Sequence, residues 1–384
     1  MRDIQEQTLK TVLVIGNSQS VWVKEYVKKI HCALGNKVYL TDYYGLSESE
    51  KNYYSDLNVS IIDVHHSNKL LRLIKCRSGL LGFARKNAGS VDLIDIQSPP
   101  HSVQTKILES VIRTLNCRTV ITFWGSDILR INQKQFDRIR NLLSLSSSIN
   151  IGTEQMHEAL VNFSGSEYED KCRYVALGSP ALDSIAACEL SGAECKEKIG
   201  LDSSLKTIAV GYNGRVQQQH LKVIEQLASL PQEVKSRTEI LVHTGGNIDA
   251  AYLEEIKSSL GSSGIPYVVI DKALPLDEVA VLRIATDIFI HAQTTDAFSG
   301  SIRECVYAGS VLINPAWIHY DKFDSDGIEY LTYSTFDELP GMVEDFISGN
   351  TIIDTKSNSD KVYNRYTWDA VRSQWAELFN AQFN

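Results

Sequence analysis

The sequence predicts an α/β protein made of two doubly wound, Rossmann-like domains in tandem. Three observations carry this expectation. The 384 residues are too many for one ordinary core. Short β-rich apolar runs alternate with stretches of helical periodicity along most of the chain. Those runs fall into two series, parted by a looser Ser/Ala/Glu-rich segment that ends near Ser204.

The first series opens with Thr11–Ile15, followed by the glycine turn Gly16-Asn-Ser-Gln-Ser20 and an amphipathic stretch to about Leu34. Lys37–Leu40, Val59–Asp63, Val91–Asp95, Thr119–Phe123 and Ser148–Ile151 read as further strands. Near-continuous apolar runs of this kind suit parallel strands buried on both faces, with helices crossing over between them. The second series is Thr207–Gly211, Glu239–His243, Tyr267–Ile270, Asp287–His291 and Val311–Asn314. The join lies near Ala176-Leu-Gly-Ser-Pro180, so the domains are expected at 1–184 and 185–365, with a final segment 366–384. Ligands of such sheets sit beyond the C-terminal strand ends, and a cleft between two facing domains is the expected site.

Composition narrows the class. Apolar residues make up 43% of the chain and there are only 8 Pro, which suits a fully folded protein. No apolar run approaches the roughly 20 residues needed to span a bilayer, and Met1–Gln7 is too polar for a secretory signal. The seven Cys are scattered without a CxxC pair, as expected of reduced thiols in a cytoplasmic protein. Net charge is −9, divided unevenly: residues 1–150 hold 20 Lys+Arg against 13 Asp+Glu, and the remainder holds 18 against 34. The basic first part is expected to meet something anionic, and the acidic remainder argues against nucleic acid.

The most informative stretch is Asp296-Ala-Phe-Ser-Gly-Ser-Ile-Arg-Glu304, which follows the apolar run Ile288–Ala292. It reads as strand, small-residue loop, helix. Such a turn aims unpaired N–H groups and the positive end of a helix dipole at whatever lies in front, and phosphate is the usual occupant. The Glu further along the helix can accept from sugar hydroxyls. A second candidate is Val210-Gly-Tyr-Asn-Gly-Arg215, a Gly-rich strand-to-helix turn whose Arg can fork onto a pyrophosphate. The alternative for it is a plain βα turn with a surface Arg.

Together these segments resemble the GT-B glycosyltransferases of the family 4 type. The resemblance implies two Rossmann-like domains facing each other across a cleft, a nucleotide-sugar donor and retention of anomeric configuration. In that family a Gly-Arg turn is followed five residues on by Lys, both reaching the donor diphosphate; here Gly214 and Arg215 match and His220 replaces the Lys. The family's two acids, with seven residues between them, match Asp296 and Glu304, Asp replacing the first Glu. This implies that Asp296, with Phe298, Ser299, Gly300 and Ser301, holds the donor sugar and that Glu304 holds the ribose. Ile270–Val279, Leu282–Asp287, Trp124-Gly-Ser-Asp127 and Ala176–Pro180 also resemble family segments. Tyr366–Phe379 resembles the final Trp-bearing helix, which packs back toward the first domain.

The first domain adds weaker candidates. Gly16 and Asn17 form a loop on the acceptor side, or an ordinary β–α turn; the sequence there is not GxGxxG, which disfavours a nicotinamide-dependent dehydrogenase. His101 and Asp127 follow strands and are candidates to touch acceptor or donor, as catalytic residues beside Asp296; a surface His and a helix-capping Asp are the plainer readings. Residues 65–90 contain Lys69, Arg72, Lys75, Arg77, Arg85 and Lys86 interleaved with Leu and Ile, and no acid lies between Asp63 and Asp92. These six are candidates for contact with an anionic membrane surface, against the alternative of an amphipathic crossover helix with a solvated face.

The expected activity is therefore transfer of a sugar from a nucleotide-diphosphate sugar to a glycan or lipid-linked saccharide acceptor, in bacterial surface polysaccharide (O-antigen or capsule) assembly. The expected location is the cytoplasm, peripherally at the inner face of the plasma membrane. No cofactor and no metal are expected, because no DxD-type triplet or His/Cys cluster has ligand spacing. The competing readings are a sugar-nucleotide epimerase of the same fold and a non-catalytic binding subunit that assists a partner.

Overall fold

The computed structural model describes residues 9–380. Residues 1–8, which include the polar start Met1–Gln7, and the last four residues of the chain lie outside them. The described chain divides into two compact units. One runs to Gly178 and takes back the chain from Trp368; the other is Ser179–Thr367.

The first unit holds a seven-stranded, wholly parallel sheet. Its strands are β1 (Thr11–Ile15), β2 (Lys37–Asp42), β3 (Ser60–Asp63), β4 (Leu93–Gln97), β5 (Arg118–Thr122), β6 (Ser148–Asn150) and β7 (Cys172–Arg173). Their order is β3-β2-β1-β4-β5-β6-β7. The second unit holds a six-stranded parallel sheet of β8 (Lys206–Val210), β9 (Thr238–His243), β10 (Tyr267–Ile270), β11 (Ile288–Ile290), β12 (Val311–Pro315) and β13 (Leu331–Tyr333). Its order is β10-β9-β8-β11-β12-β13. All of β4, β9, β11 and β12 is buried, as apolar parallel strands covered by helices on both faces must be.

Strand order reverses between β1 and β4 in one sheet and between β8 and β11 in the other. Chain leaving the two strands at such a point departs to opposite faces and opens a crevice at their C-terminal ends. The four loops that matter therefore follow β1, β4, β8 and β11.

The helix Trp368–Asn380 belongs to the first unit. Trp375 and Phe379 are buried, Trp375 Nε1 donates to the Ala176 carbonyl at 3.0 Å, and Arg118 donates to the Leu378 carbonyl at 2.9 Å. Gly178 has no side chain because Trp368 lies against it: a Cβ there would meet the indole at 2.3 Å.

Candidate functional site

In the second unit the loops after β8 and β11 are laced together. Thr294 N donates to the Gln217 carbonyl at 3.1 Å, Gln219 Nε2 to the Ala292 carbonyl at 2.6 Å, and Gln218 to Gln293. The Gly-rich turn and the 296–304 segment are thus one construction. The helix of that segment starts at Gly300 and runs to Tyr307.

Asp296 is buried at the centre. Its carboxylate accepts from Tyr212 Oη at 2.8 Å, Tyr320 Oη at 2.9 Å and Ser299 N at 2.8 Å. Burial, reinforced by the Asp296 charge, pushes both phenols well above their ordinary range, so they stay protonated donors. His291 stacks beside both rings and donates through Nδ1 to Asn314 Oδ1, 2.9 Å away; burial pulls its pKa down. Phe298 has φ +61°, a left-handed conformation that costs an L-residue about 1–2 kcal/mol. Rings of Tyr320, Phe323 and Tyr366 at 4.8–5.4 Å hold it there, and the Arg303 guanidinium lies 5.1 Å over its face. The strained residue returns Ser299 N to Asp296 and points the new helix. Gly300 is buried, and Ser301 Oγ accepts from Arg283.

Glu304 is also buried. It accepts from Ser179 Oγ at 2.6 Å and pairs with Arg283 Nε at 3.3 Å. The sequence reading missed four of these partners: Tyr212, Tyr320, Arg283 and Ser179. The available signal was indirect, since two carboxylates on a buried loop require donors from elsewhere in the fold.

On the β8 side, Arg215 is exposed and forms no ion pair among the described residues. Asn213 accepts from its N–H at 3.0 Å, which sets the turn. Gly214 is required by close approach: a Cβ would meet Ile248 Cβ at 2.4 Å. His220 does not carry the charge that its position implied. It is fully buried, bonded through Nδ1 to Tyr252 Oη at 3.2 Å, and burial lowers its pKa to about 4. Its Nε2 and Gln218 Oε1 both face the space a Cβ of Gly211 would fill, and neither has a partner among the described residues. Ser299 Oγ and His291 Nε2 are likewise buried without partners.

The first-unit candidates separate. Gly16 and Asn17 line a cavity of about 500 Å³ at the β1/β4 crevice. Gly16 is glycine because the loop lies against Gln97, whose Cβ would be 3.2 Å from an added Cβ. Asp127 is buried and turned inward, accepting from Trp124 N and Gly125 N at 2.8–3.1 Å; burial raises its pKa despite these bonds. It braces its own turn. His101 has both ring nitrogens on main-chain carbonyls, Asp127 at 2.9 Å and Gln135 at 3.3 Å. Through these contacts His101 ties the loop after β4 to the segments that carry Asp127 and Gln135.

The six cations of the helix Lys69–Lys86 do not form one stripe. At about 100° per residue they are spread around the axis. Lys69 and Arg72 line the cavity, Lys75 is paired with Asp63 at 2.8 Å, and Arg77, Arg85 and Lys86 are exposed. No helix among the described residues is long and apolar enough to cross a membrane. Among the described residues no three His, Cys, Asp or Glu gather as a metal site.

No protein-family model matches the sequence, and no curated protein matches it. Solved structures do resemble it in fold. HepE (Alr3699) of Anabaena, crystallised with UDP, aligns with TM-score 0.75 at 11% identity over 96% of this chain and 98% of its own. A glycosyltransferase of Rickettsia africae aligns with TM-score 0.75 at 14% identity, covering 97% and 98%. WaaG, described as a glycosyltransferase involved in lipopolysaccharide biosynthesis, aligns with TM-score 0.62 at 12% identity, covering 97% and 100%. With two parallel doubly wound sheets and likeness over the full length of such structures, the chain has the GT-B fold.

Proposed function

We propose that the protein is a glycosyltransferase of the family 4 type that takes its sugar from a nucleotide-diphosphate donor. The observation that supports this best is the joined pair of loops at the β8/β11 reversal. They combine an exposed, unpaired Arg215, the start of the 300–307 helix, and buried polar atoms without partners. That arrangement suits a diphosphate flanked by a sugar and a nucleoside. Two neighbours of the same fold were crystallised as complexes of HepE with UDP and with UDP-glucose, which favours a nucleotide sugar here.

On this reading the nucleotide diphosphate departs while Arg215 and the helix N-terminus neutralise its developing charge. Preorganised donors of that kind contribute several kcal/mol to such a step. Since His220 is neutral, Arg215 is the fixed cation of the β8 turn. Asp296 acts through the loop: its three bonds hold the amides from Phe298 to Ser301 in place against the donor sugar. Glu304, paired with Arg283, retains acceptor capacity for the ribose hydroxyls. The transfer needs no metal and no protein nucleophile, and the anomeric configuration is retained. The acceptor is a glycan or lipid-linked saccharide of bacterial surface polysaccharide assembly, met at the cytoplasmic face of the membrane.

A thermal-shift screen against UDP-, GDP-, dTDP- and CMP-sugars tests the reading. One class of nucleotide should raise the melting temperature of the wild type, and Arg215→Ala should abolish that rise without lowering the ligand-free value. No stabilisation by any of the four rejects it.

A further inference from the structure

Two thiols meet in the second unit, and the donor reading gives them no role. The short helix Leu182–Ala186 closes with Ala187 N on the Asp183 carbonyl at 3.0 Å and Cys188 N on the Ile185 carbonyl at 3.2 Å. Three residues further on, Ser191 caps the helix Gly192–Lys198. Its Oγ accepts from Glu194 N, and the Glu194 carboxylate accepts from Ser191 N at 2.8 Å. Cys195 follows with its N–H on the Ser191 carbonyl at 2.9 Å. Both helices pack on the same neighbour, Leu276–Ile284. Cys188 and Cys195 are thereby brought together, and their side chains share an S–H···S hydrogen bond. The other thiols have other neighbours: the Leu57 carbonyl for Cys32, the Tyr168 carbonyl for Cys172, the Tyr43 phenol for Cys76 and Arg283 for Cys305.

The two sulfurs differ in access. Cys188 is half-buried, on irregular chain between the exposed Ala187 and Glu189. Cys195 is fully buried, and burial pushes its thiol up to about 11. An accessible sulfur backed by a second thiol is the arrangement of a redox-sensing pair, in which the outer sulfur meets the oxidant and the inner one resolves it. The two also differ in anchorage. Beside Cys195, Lys196 is buried and donates to Asp287 Oδ2 and the Leu205 carbonyl, both at 2.6 Å. Residues 188–191 belong to no helix or strand. A disulfide needs Cα atoms about 4.4–6.8 Å apart, and the irregular chain at Cys188 is free to make the adjustment.

We infer that Cys188 and Cys195 form a redox modification site, which a peroxide converts to a disulfide that clips the helix Leu182–Ala186 to the helix Gly192–Lys198. The Cys188 thiolate attacks one peroxide oxygen, the O–O bond breaks, hydroxide leaves, and the sulfur becomes a sulfenic acid. The Cys195 sulfur then attacks the Cys188 sulfur and the S–O bond breaks. The Cys195 proton goes to the departing hydroxide as water. Two thiols and one hydrogen peroxide give one disulfide and two waters. Exchange with an external dithiol reopens the bond. The clip bears on the candidate site. At the entry to the helix Leu182–Ala186, Ser179 Oγ and Ala181 N donate to Glu304 at 2.6 and 3.4 Å. Arg283, the ion-pair partner of Glu304, lies on the helix against which both clipped elements pack. The oxidation itself is independent of sugar transfer.

Treatment of the full chain with hydrogen peroxide, followed by denaturation, alkylation and peptide mapping, tests it. Trypsin releases both thiols in one peptide, Tyr174–Lys196. In the wild type that peptide should lose two hydrogens and escape alkylation at least about ten-fold faster than Cys76, Cys172 or Cys305 are oxidised. Dithiothreitol should restore it, and cleavage after Glu189 should leave pieces joined through sulfur. Cys188→Ser should leave Cys195 open to alkylation at the same dose. Cys195→Ser should leave Cys188 as a sulfenic acid that dimedone traps. Amide exchange of residues 181–191 should slow on oxidation of the wild type and stay unchanged in Cys188→Ser. Oxidation of the pair no faster than that of the buried thiols overturns the inference. A disulfide between two chains does the same, as does a loss of two hydrogens that persists in Cys188→Ser. Unchanged amide exchange in the oxidised wild type rejects the clip. The half-buried Cys188→Ser variant decides the matter even where the buried Cys195→Ser variant fails to fold.

Discussion

Asp296 shows how a single carboxylate organises a site. Two phenols and one amide converge on it, and hydrogen bonds to a charged group are each worth about 1.5–3 kcal/mol. Tyr320→Phe should therefore lower the denaturation midpoint by an amount of that order and weaken donor binding with it. Arg215→Ala, at an exposed position, should weaken donor binding with stability unchanged. Urea titration and calorimetry on the two variants separate the roles. Arg283 and Glu304 are the buried pair, and removing one partner of such a pair costs about 3–5 kcal/mol because the other charge is left buried. Arg283→Ala should be among the most destabilising substitutions in the second unit. Protonation works at the same scale. Burial lowers the pKa of both His220 and His243 to about 4, from an ordinary value near 6.5. Between those limits the unfolded chain binds more protons than the folded one, so stability is fully present above pH 6.5 and falls as the pH drops toward 4. Each histidine should remove roughly 1–2 kcal/mol by pH 5. The difference in unfolding free energy between pH 7 and pH 5 should shrink in His220→Phe. Of these residues the sequence announced Asp296, Glu304 and Arg215 by their spacing. It did not announce Tyr212, Tyr320 or Arg283, whose importance comes from where the fold delivers them. The sequence placed His220 near the phosphate by its position in the chain but did not show its burial: the first turn of its helix points it under Gly211, where burial lowers its pKa to about 4.

At the level of elements, the strands were legible wherever they are long and buried on both faces. β1, β4, β5, β8, β9 and β12 each span five or six residues, and their apolar runs admit little else. β7 and β13, with two and three residues, carry too short a pattern to read, and they sit at sheet edges where burial is incomplete. The turns depend on detail that periodicity does not encode. Gly214 is one such detail: any side chain there collides with Ile248, on the loop that follows β9. Gly214→Ala should shift the turn, cost roughly 1–3 kcal/mol, and reduce donor affinity through Arg215. A crystal structure or an amide-exchange map of the variant should show the change confined to the loops after β8 and β9. The helix Lys69–Lys86 illustrates the opposite limit. Its cations were visible in the sequence, but their different fates were not. Cavity, ion pair and solvent are decided by rotation about the helix axis and by which sheet end the helix reaches.

For the whole molecule, the chain's return is the decisive feature. It leaves the first unit at Gly178, builds the second, and re-enters the first at Trp368. The sequence suggested breaks at 184/185 and 365/366 from composition and a Trp-bearing motif. The structural breaks at 178/179 and 367/368 follow from packing, where the glycine at 178 meets the indole of 368. Residues 368–380 complete the core of the first unit. Tyr26 and Trp375 rings lie 4.9 Å apart, His31 stacks on Phe379 at 5.0 Å, and Arg372 donates to the Lys29 carbonyl at 2.9 Å. The same cluster leads inward to Asp95, which accepts from Tyr26 Oη at 2.6 Å and contacts His31 Nε2 at 2.8 Å. Asp95 in turn takes the Gln97 amide at 2.7 Å, and Gln97 is in the wall of the cationic cavity. The last helix therefore supports the wall of that cavity through a chain of buried contacts within one unit. Trp375→Ala should leave a cavity and an unpaired Ala176 carbonyl, costing about 3–5 kcal/mol. Because the loss falls in the first unit, unfolding followed by two probes should separate. A fluorophore on a cysteine introduced at an exposed first-unit position should report an earlier transition than in the wild type, and nucleotide-induced stabilisation of the second unit should survive. A single transition that shifts as a whole would mean that the two units unfold as one cooperative body.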